Sequence, residues 1–136
     1  MLPFASDSRA RIHDEHGQAT VEFAMILPIL CVLLFAVIEF GMAFWNYQQV
    51  SAAASEGARR ASVSRTYGDR EQRVVDAVKD NSPQLDAGNL TVTTATTWTP
   101  GDPVTVTVKY PQDITVMGVT FFSSTLDVSR TMRVEQ

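Results

Sequence analysis

Between Phe23 and Ile38 the chain reads FAMILPILCVLLFAVI without a single charge. No other feature limits the fold as strongly. The apolar run from Ala19 to Ala43 holds 25 residues. As a helix that is ~37 Å at 1.5 Å per residue, and a bilayer core needs about 20 such residues. The run outlasts the apolar core of a secretory signal, about 7–15 residues. Phe44, Trp45 and Tyr47 follow it instead of a small-x-small cleavage pattern, and they suit an interfacial belt. A retained transmembrane helix is expected over 18–44, with Pro28 able to kink it mid-span. Cys31, the sole cysteine, lies inside it. That rules out an intrachain disulfide and a thiol metal cluster, and leaves a small hydrophobe.

Two carboxylates bracket the run. Glu22 stands just inside its start, five residues after Gly17. An ionised group costs roughly 2.5–3.5 kcal/mol at the centre of a membrane helix and less near its ends, so the position points to function. The plainer reading is a carboxylate that marks the headgroup boundary. On a helix Gln18 and Glu22 share a face. A cut after Gly17 would give Gln18 a free amine. Glu22 could then neutralise that amine, or the one on an adjacent subunit, near the positive end of the helix dipole. Glu39 falls ~25 Å further along the axis, at the far boundary, as a carboxylate facing water. Residues 1–17 read as a cytoplasmic leader. Arg9 and Arg11 there are set against Asp7, Asp14 and Glu15, and Arg59 and Arg60 lie on the far flank. The positive-inside balance is nearly even, so an outside C-terminal domain rests on the processing-site reading.

Residues 45–136 leave about 90 positions, enough for one small core. Their charge is close to balanced, with no polybasic footprint for nucleic acid. Alanine-rich sequence without proline predicts a helix over 45–66, with Glu56 and Arg60 as an ion pair. Val50, Ala54, Gly57 and Ala61 form one stripe. Ala53, Gly57 and Ala61 form a small-xxx-small-xxx-small series that admits either a second backbone or the protein's own sheet. Gly57→Leu is expected to overpack it, and Gly57→Ala to be near neutral. Gly68 fits a left-handed cap, and Asp69 with Gln72 a capping box for a helix over 70–80. Val74, Val75 and Val78 supply its buried side, and Asn81-Ser82-Pro83 its stop.

Period two then takes over, predicting a sheet across 89–135. Leu90, Val92 and Thr94 make one strand, and Val104, Val106, Val108 and Tyr110 the next, joined through Thr99-Pro100-Gly101-Asp102-Pro103. A last strand near 125–135 puts Leu126, Val128, Met132 and Val134 on one face, with Arg130 among them, snorkelling at a sheet edge. Asp113–Ser124 stays open between loop, short strand and apolar contact patch. The fold class expected is α+β: a long N-terminal transmembrane helix extending into a small antiparallel sheet domain with one short extra helix.

No catalytic pattern accompanies this architecture. His13 and His16 sit in the leader beside Asp14 and Glu15, a pairing more often solvated than metal-binding. Residues 45–136 contain no histidine to act as a general base. No phosphate-binding glycine loop or nucleophile elbow occurs. The expectation is a protein that is not an enzyme and carries no cofactor or metal.

The segment GQATVEFAMILPILCVLLFAVIEFGMAFWNYQQVSAAASEGARRAS, from Gly17 to Ser62, resembles the TadE-like proteins, minor pilin-like components of tight-adherence (Tad) pilus systems. The likeness lies in Gly17-x-x-x-x-Glu22-Phe23, the Leu-Pro of the apolar run, the second Glu-Phe-Gly at Glu39, and Glu56-Gly57-Ala58-Arg59. Met132-Arg133-Val134-Glu135 is similar to the family's ending. The resemblance implies a prepilin peptidase cutting between Gly17 and Gln18, with Glu22 and Phe23 serving assembly. It implies a minor pilin or pseudopilin that helps build a thin adhesive pilus with other pilin-like subunits. The protein would be single-pass in the cytoplasmic membrane, with its C-terminal domain outside. Asp14 and Glu15 depart from the net positive charge such leaders usually carry near the cut. The alternative is a non-polymerising single-pass protein whose outer domain scaffolds an envelope or secretion complex.

Overall fold

The computed structural model describes residues 8–136 apart from Met117, with side chains from Gly17 onward. The first seven residues of the expected leader, and the side chains of His13 and His16, lie outside it. The chain divides into two units, Met1–Ile38 and Glu39–Gln136. Helix α1, Ser8–Val63, contributes to both. It therefore begins within the expected leader and runs without a break through Gly17 and Pro28.

The second unit is built on the part of α1 from Glu39 onward. Val50, Ala53, Ala54, Ala58 and Ala61 are fully buried there. Apart from the adjacent pair Ala53 and Ala54 they recur at spacings of three and four, so one face of the helix is apolar. α1 stops at Val63, short of the expected residue 66. The Ser64 N–H donates to the Ala61 carbonyl at 3.2 Å, and its hydroxyl to the Arg60 carbonyl at 2.6 Å. A side-chain hydroxyl that takes a helix carbonyl competes with the next turn. Gly68 does not make the expected left-handed cap, since the glycines of positive φ are Gly101 and Gly118. The expected Glu56–Arg60 pair is also corrected. Arg59 Nε donates to Glu56 Oε2 at 2.8 Å. That bond holds the Glu56 carboxyl below its usual range, with the fields of Arg59 and Arg60 adding to it.

Helix α2, Arg70–Asp80, buries Val74, Ala77 and Val78. Its start is not a capping box. Asp69 makes no side-chain cap; its Oδ1 accepts from Arg73 Nε at 2.7 Å, and Gln72 donates to Asp76 at 2.8 Å. The Arg73 bond depresses the Asp69 pKa. A depressed carboxylate stabilises the fold fully above its unfolded pKa, about 4, and ceases to as pH falls through the folded value. Asp69→Asn should therefore lower the melting temperature slightly at neutral pH, where surface pairs have modest effects, and not at all in strong acid. Melting curves across pH would check this; a deficit that persists in acid would remove the ion pair as its cause. At the other end, the Asn81 N–H donates to the Ala77 carbonyl, and the buried Ser82 hydroxyl to that of Val78 at 2.8 Å.

Three strands follow: β1, Thr91–Ala95; β2, Pro103–Val116; and β3, Val119–Arg133. They form an antiparallel sheet in the order β1-β2-β3. Val104, Val106 and Val108 are buried and alternate with Thr105 and Thr107. On the outward face the Thr105 and Thr131 hydroxyls pair at 2.8 Å, Thr107 and Ser129 at 2.8 Å, and Lys109 and Asp127 at 3.1 Å. Cross-strand polar pairs of this kind fix a register whose slip by one residue would turn the valines outward. The β1–β2 connection turns where the Asp102 N–H donates to the Thr99 carbonyl, at 3.1 Å, with Pro100 and Gly101 between. Gly101 has φ +85, which a type II turn requires and a side chain resists. β1 pairs only as far as Thr91 with Lys109, so from Tyr110 onward β2 has β3 alone as its neighbour. The segment left open in the sequence is resolved as strand: it is the far half of the β2–β3 hairpin, turning at Gly118 with φ +81.

Candidate functional site at the start of the apolar helix

Gly17, Gln18, Glu22 and Phe23 lie on helical backbone with exposed side chains. Gln18 Nε2 donates to Glu22 Oε1 at 3.0 Å, the contact their four-residue spacing predicts. Phe23 is 58% exposed and Val21 60%. A methyl group placed on Gly17 would meet nothing within 4 Å. The bond between Gly17 and Gln18 thus has open space on the side where a glycine Cβ would point, but it joins two helical residues. Any cut at this bond would require local unwinding, which glycine, costing a helix interior about 1 kcal/mol relative to alanine, would ease.

From Gly17 to Ile38 no side chain is buried, and Cys31 is half-buried. The most apolar stretch of α1 reaches a mean hydropathy of 2.8 with none of it buried inside the protein. A core helix of a soluble domain would have its apolar face covered. By length and composition this helix is sufficient to cross a membrane. Pro28 offers no N–H to the Ala24 carbonyl, a gap membrane helices fill from neighbouring groups.

Ala53, Gly57 and Ala61 are elsewhere, and the structure gives them an internal role. Ala53 and Ala61 are fully buried. A Cβ on Gly57 would lie 2.6 Å from Val78 Cγ2, 3.2 Å from Val106 Cγ1 and 3.8 Å from Val74 Cγ1. The small-residue series therefore admits α2 and β2 of the same chain. Arg130 donates through its guanidinium to the Ser51 hydroxyl at 2.7 Å, from an exposed position on the edge strand. Three features escape sequence reasoning: Ala58 in the buried stripe, Leu85 in the core, and Trp98 beneath the Arg70 guanidinium at 4.8 Å. Ala58 was within reach, four residues after Ala54; the Trp98 contact joins loop to helix and leaves no local pattern.

Two polar recesses lie on the surface of the second unit. One, about 110 Å³, is lined by Ser62, Arg65, Thr66 and Glu135 among others; the second is an open hollow at Gly68–Gln72. Among the described residues no three His, Cys, Asp or Glu side chains converge to hold a metal.

The TadE-like protein family matches residues 17–59. Over that segment the chain is similar to the TadE-like proteins. The TadE-like match begins at the glycine of the candidate cleavage site and takes in Glu22, Glu39 and the buried stripe as far as Arg59. It supports involvement in Tad pilus systems and association with membrane and pilus subunits. No curated protein and no solved structure matches the chain.

Proposed function

We propose that this chain is a structural minor pilin or pseudopilin of a Tad-type pilus, released from its leader by a prepilin peptidase between Gly17 and Gln18. The observation that carries the reading is the Gly17-to-Glu22 arrangement at the mouth of the apolar helix. An accessible glycine is followed by a carboxylate held on the face of Gln18, inside the TadE-like segment. The protein acts by binding and assembly rather than by catalysis, from the cytoplasmic membrane, with residues 45–136 outside the cytoplasm. Mass analysis of the N-terminus of membrane-extracted protein tests the cut directly. A chain beginning at Gln18 supports the reading, and one that retains the leader favours the non-polymerising scaffold.

In this reading Glu22 neutralises an N-terminal amine, and only the assembled state needs it. Glu22→Gln keeps an acceptor for the Gln18 amide and removes the charge. Membrane insertion should hold or improve slightly, since a charge leaves the lipid. Co-purification of pilus subunits should fall sharply. Wild-type recovery of those subunits with the Gln variant would defeat the neutralisation role.

A further inference from the structure

Val119, Phe121 and Phe122, at the end of the β2–β3 hairpin, are 58%, 70% and 58% exposed. Elsewhere the outward face of the sheet carries hydroxyl pairs and the Lys109–Asp127 ion pair, so this apolar cluster is out of character with it. Between Lys109 and Asp127 the only charged residue is Asp113. A register shift between Ile114 and Thr115 pairs Ile114 with Phe122 and Thr115 with Thr120. Phe121 is left over, and such bulges re-aim a side chain away from the regular sheet. Large exposed apolar side chains gathered at one end of a hairpin mark a contact with another phase or protein.

Where the cluster lies decides which. Val106 faces Gly57 across 3.2 Å of Cβ space, while the Gln112 Oε1 accepts from Asn46 Nδ2 at 3.3 Å. β2 therefore descends α1 toward its N-terminal side. At about 3.4 Å per strand residue against 1.5 Å per helix residue, Ile114 comes level with Met42. The hairpin thus reaches the level of Phe44 and Trp45, which are 55% and 56% exposed. Exposed aromatics at the end of an apolar helix are the mark of a membrane–water interface.

We propose that the hairpin end, centred on Val119, Phe121 and Phe122, is seated in the headgroup and upper acyl region of the bilayer that α1 crosses. The proposal rests on the membrane-anchored reading of α1. Thr115, Thr120 and Ser123 on the same hairpin carry hydroxyls, which suits the interface rather than the hydrocarbon centre. The domain so docked holds a second point of membrane attachment, beside its helix.

Full-length protein with Cys31→Ala, reconstituted in mixed phosphatidylethanolamine–phosphatidylglycerol vesicles, tests this with single-cysteine bimane labels. Three sites are compared: Val119→Cys at the tip, Thr107→Cys on the outward sheet face, and Leu34→Cys in the apolar helix. All three are off the buried core, so folding is preserved. The tip label should be quenched by shallow nitroxide lipids and protected from aqueous iodide, with a blue-shifted emission. Thr107 should show the reverse, and Leu34 quenching by deep nitroxides. Iodide quenching at Val119 equal to that at Thr107 would place the tip in water and overturn the proposal. Protection from both quenchers would assign the patch to a second copy or another subunit, and overturn it equally. Loss of lipid quenching at Leu34 would instead bring down the anchor reading itself.

Discussion

Gly57→Leu is expected to abolish the protease-resistant core of the second unit, and Gly57→Ala to weaken it measurably. A first carbon at this position would already lie 2.6 Å from Val78 Cγ2 and 3.2 Å from Val106 Cγ1. Both neighbours are β-branched, fully buried and stiff at χ1, so neither yields by a simple rotation. The gain in helix propensity on replacing glycine, up to about 1 kcal/mol, is what makes alanine near neutral from sequence alone. Overpacking typically costs 1–3 kcal/mol and reverses that sign. Leucine adds three further carbons to the same gap and should exceed the range, a large share of the stability a domain of this size holds. Thermal melting and limited proteolysis of the detergent-solubilised full chain would read both effects. Val78→Ala opens space where the new methyl goes, so combined with Gly57→Ala it should lose less than the two single losses summed. A Gly57→Ala protein as stable as wild type would refute the close approach of α2 to α1.

Gly17→Leu should leave the protein folded and inserted, yet block its maturation. Beyond its own helix backbone, no atom of the described residues lies within 4 Å of the added carbon, so α1 accepts the side chain and gains helix propensity. Both consequences oppose a peptidase, which must unwind the segment and fit the residue before the cut. In cells with active prepilin peptidase the wild-type chain should begin at Gln18 and the variant should keep its leader. Subunit co-purification should be lost with it, because Gln18 never gains its amine. If wild-type protein from such cells also retains the leader, the maturation reading is wrong. If the variant matures as fast as wild type, Gly17 is not the determinant.

The helix–helix–sheet order was legible because each element has a strong period: an uncharged run, alanine at helical spacing, valine alternating with threonine. The Gln18–Glu22 bond was legible for the same reason, being set by one helical turn. What escaped depended on choices between near-equivalent partners. Glu56 can reach Arg59 or Arg60 with little to choose in energy, and the structure takes Arg59. Asp69 can bond its helix start or the Arg73 guanidinium, and charge decides for the latter. The far half of the hairpin looked undecided because its apolar residues are not matched by a helix or sheet that covers them. Gly68 reads as a cap locally, but Ser64 had already ended α1. The maturation site and the role of Glu22 are proposals that the fold accommodates.

Because β1 is shorter than β2, the stretch from Tyr110 to Val116 keeps an open border on its β1 side. An open border of that length is a template for a strand from another molecule. Pro111 lies within it and offers no N–H to such a strand. Asp113, two residues on, adds a charge that an incoming strand would have to desolvate. Together they leave this border a poor template for uncontrolled sheet growth between molecules.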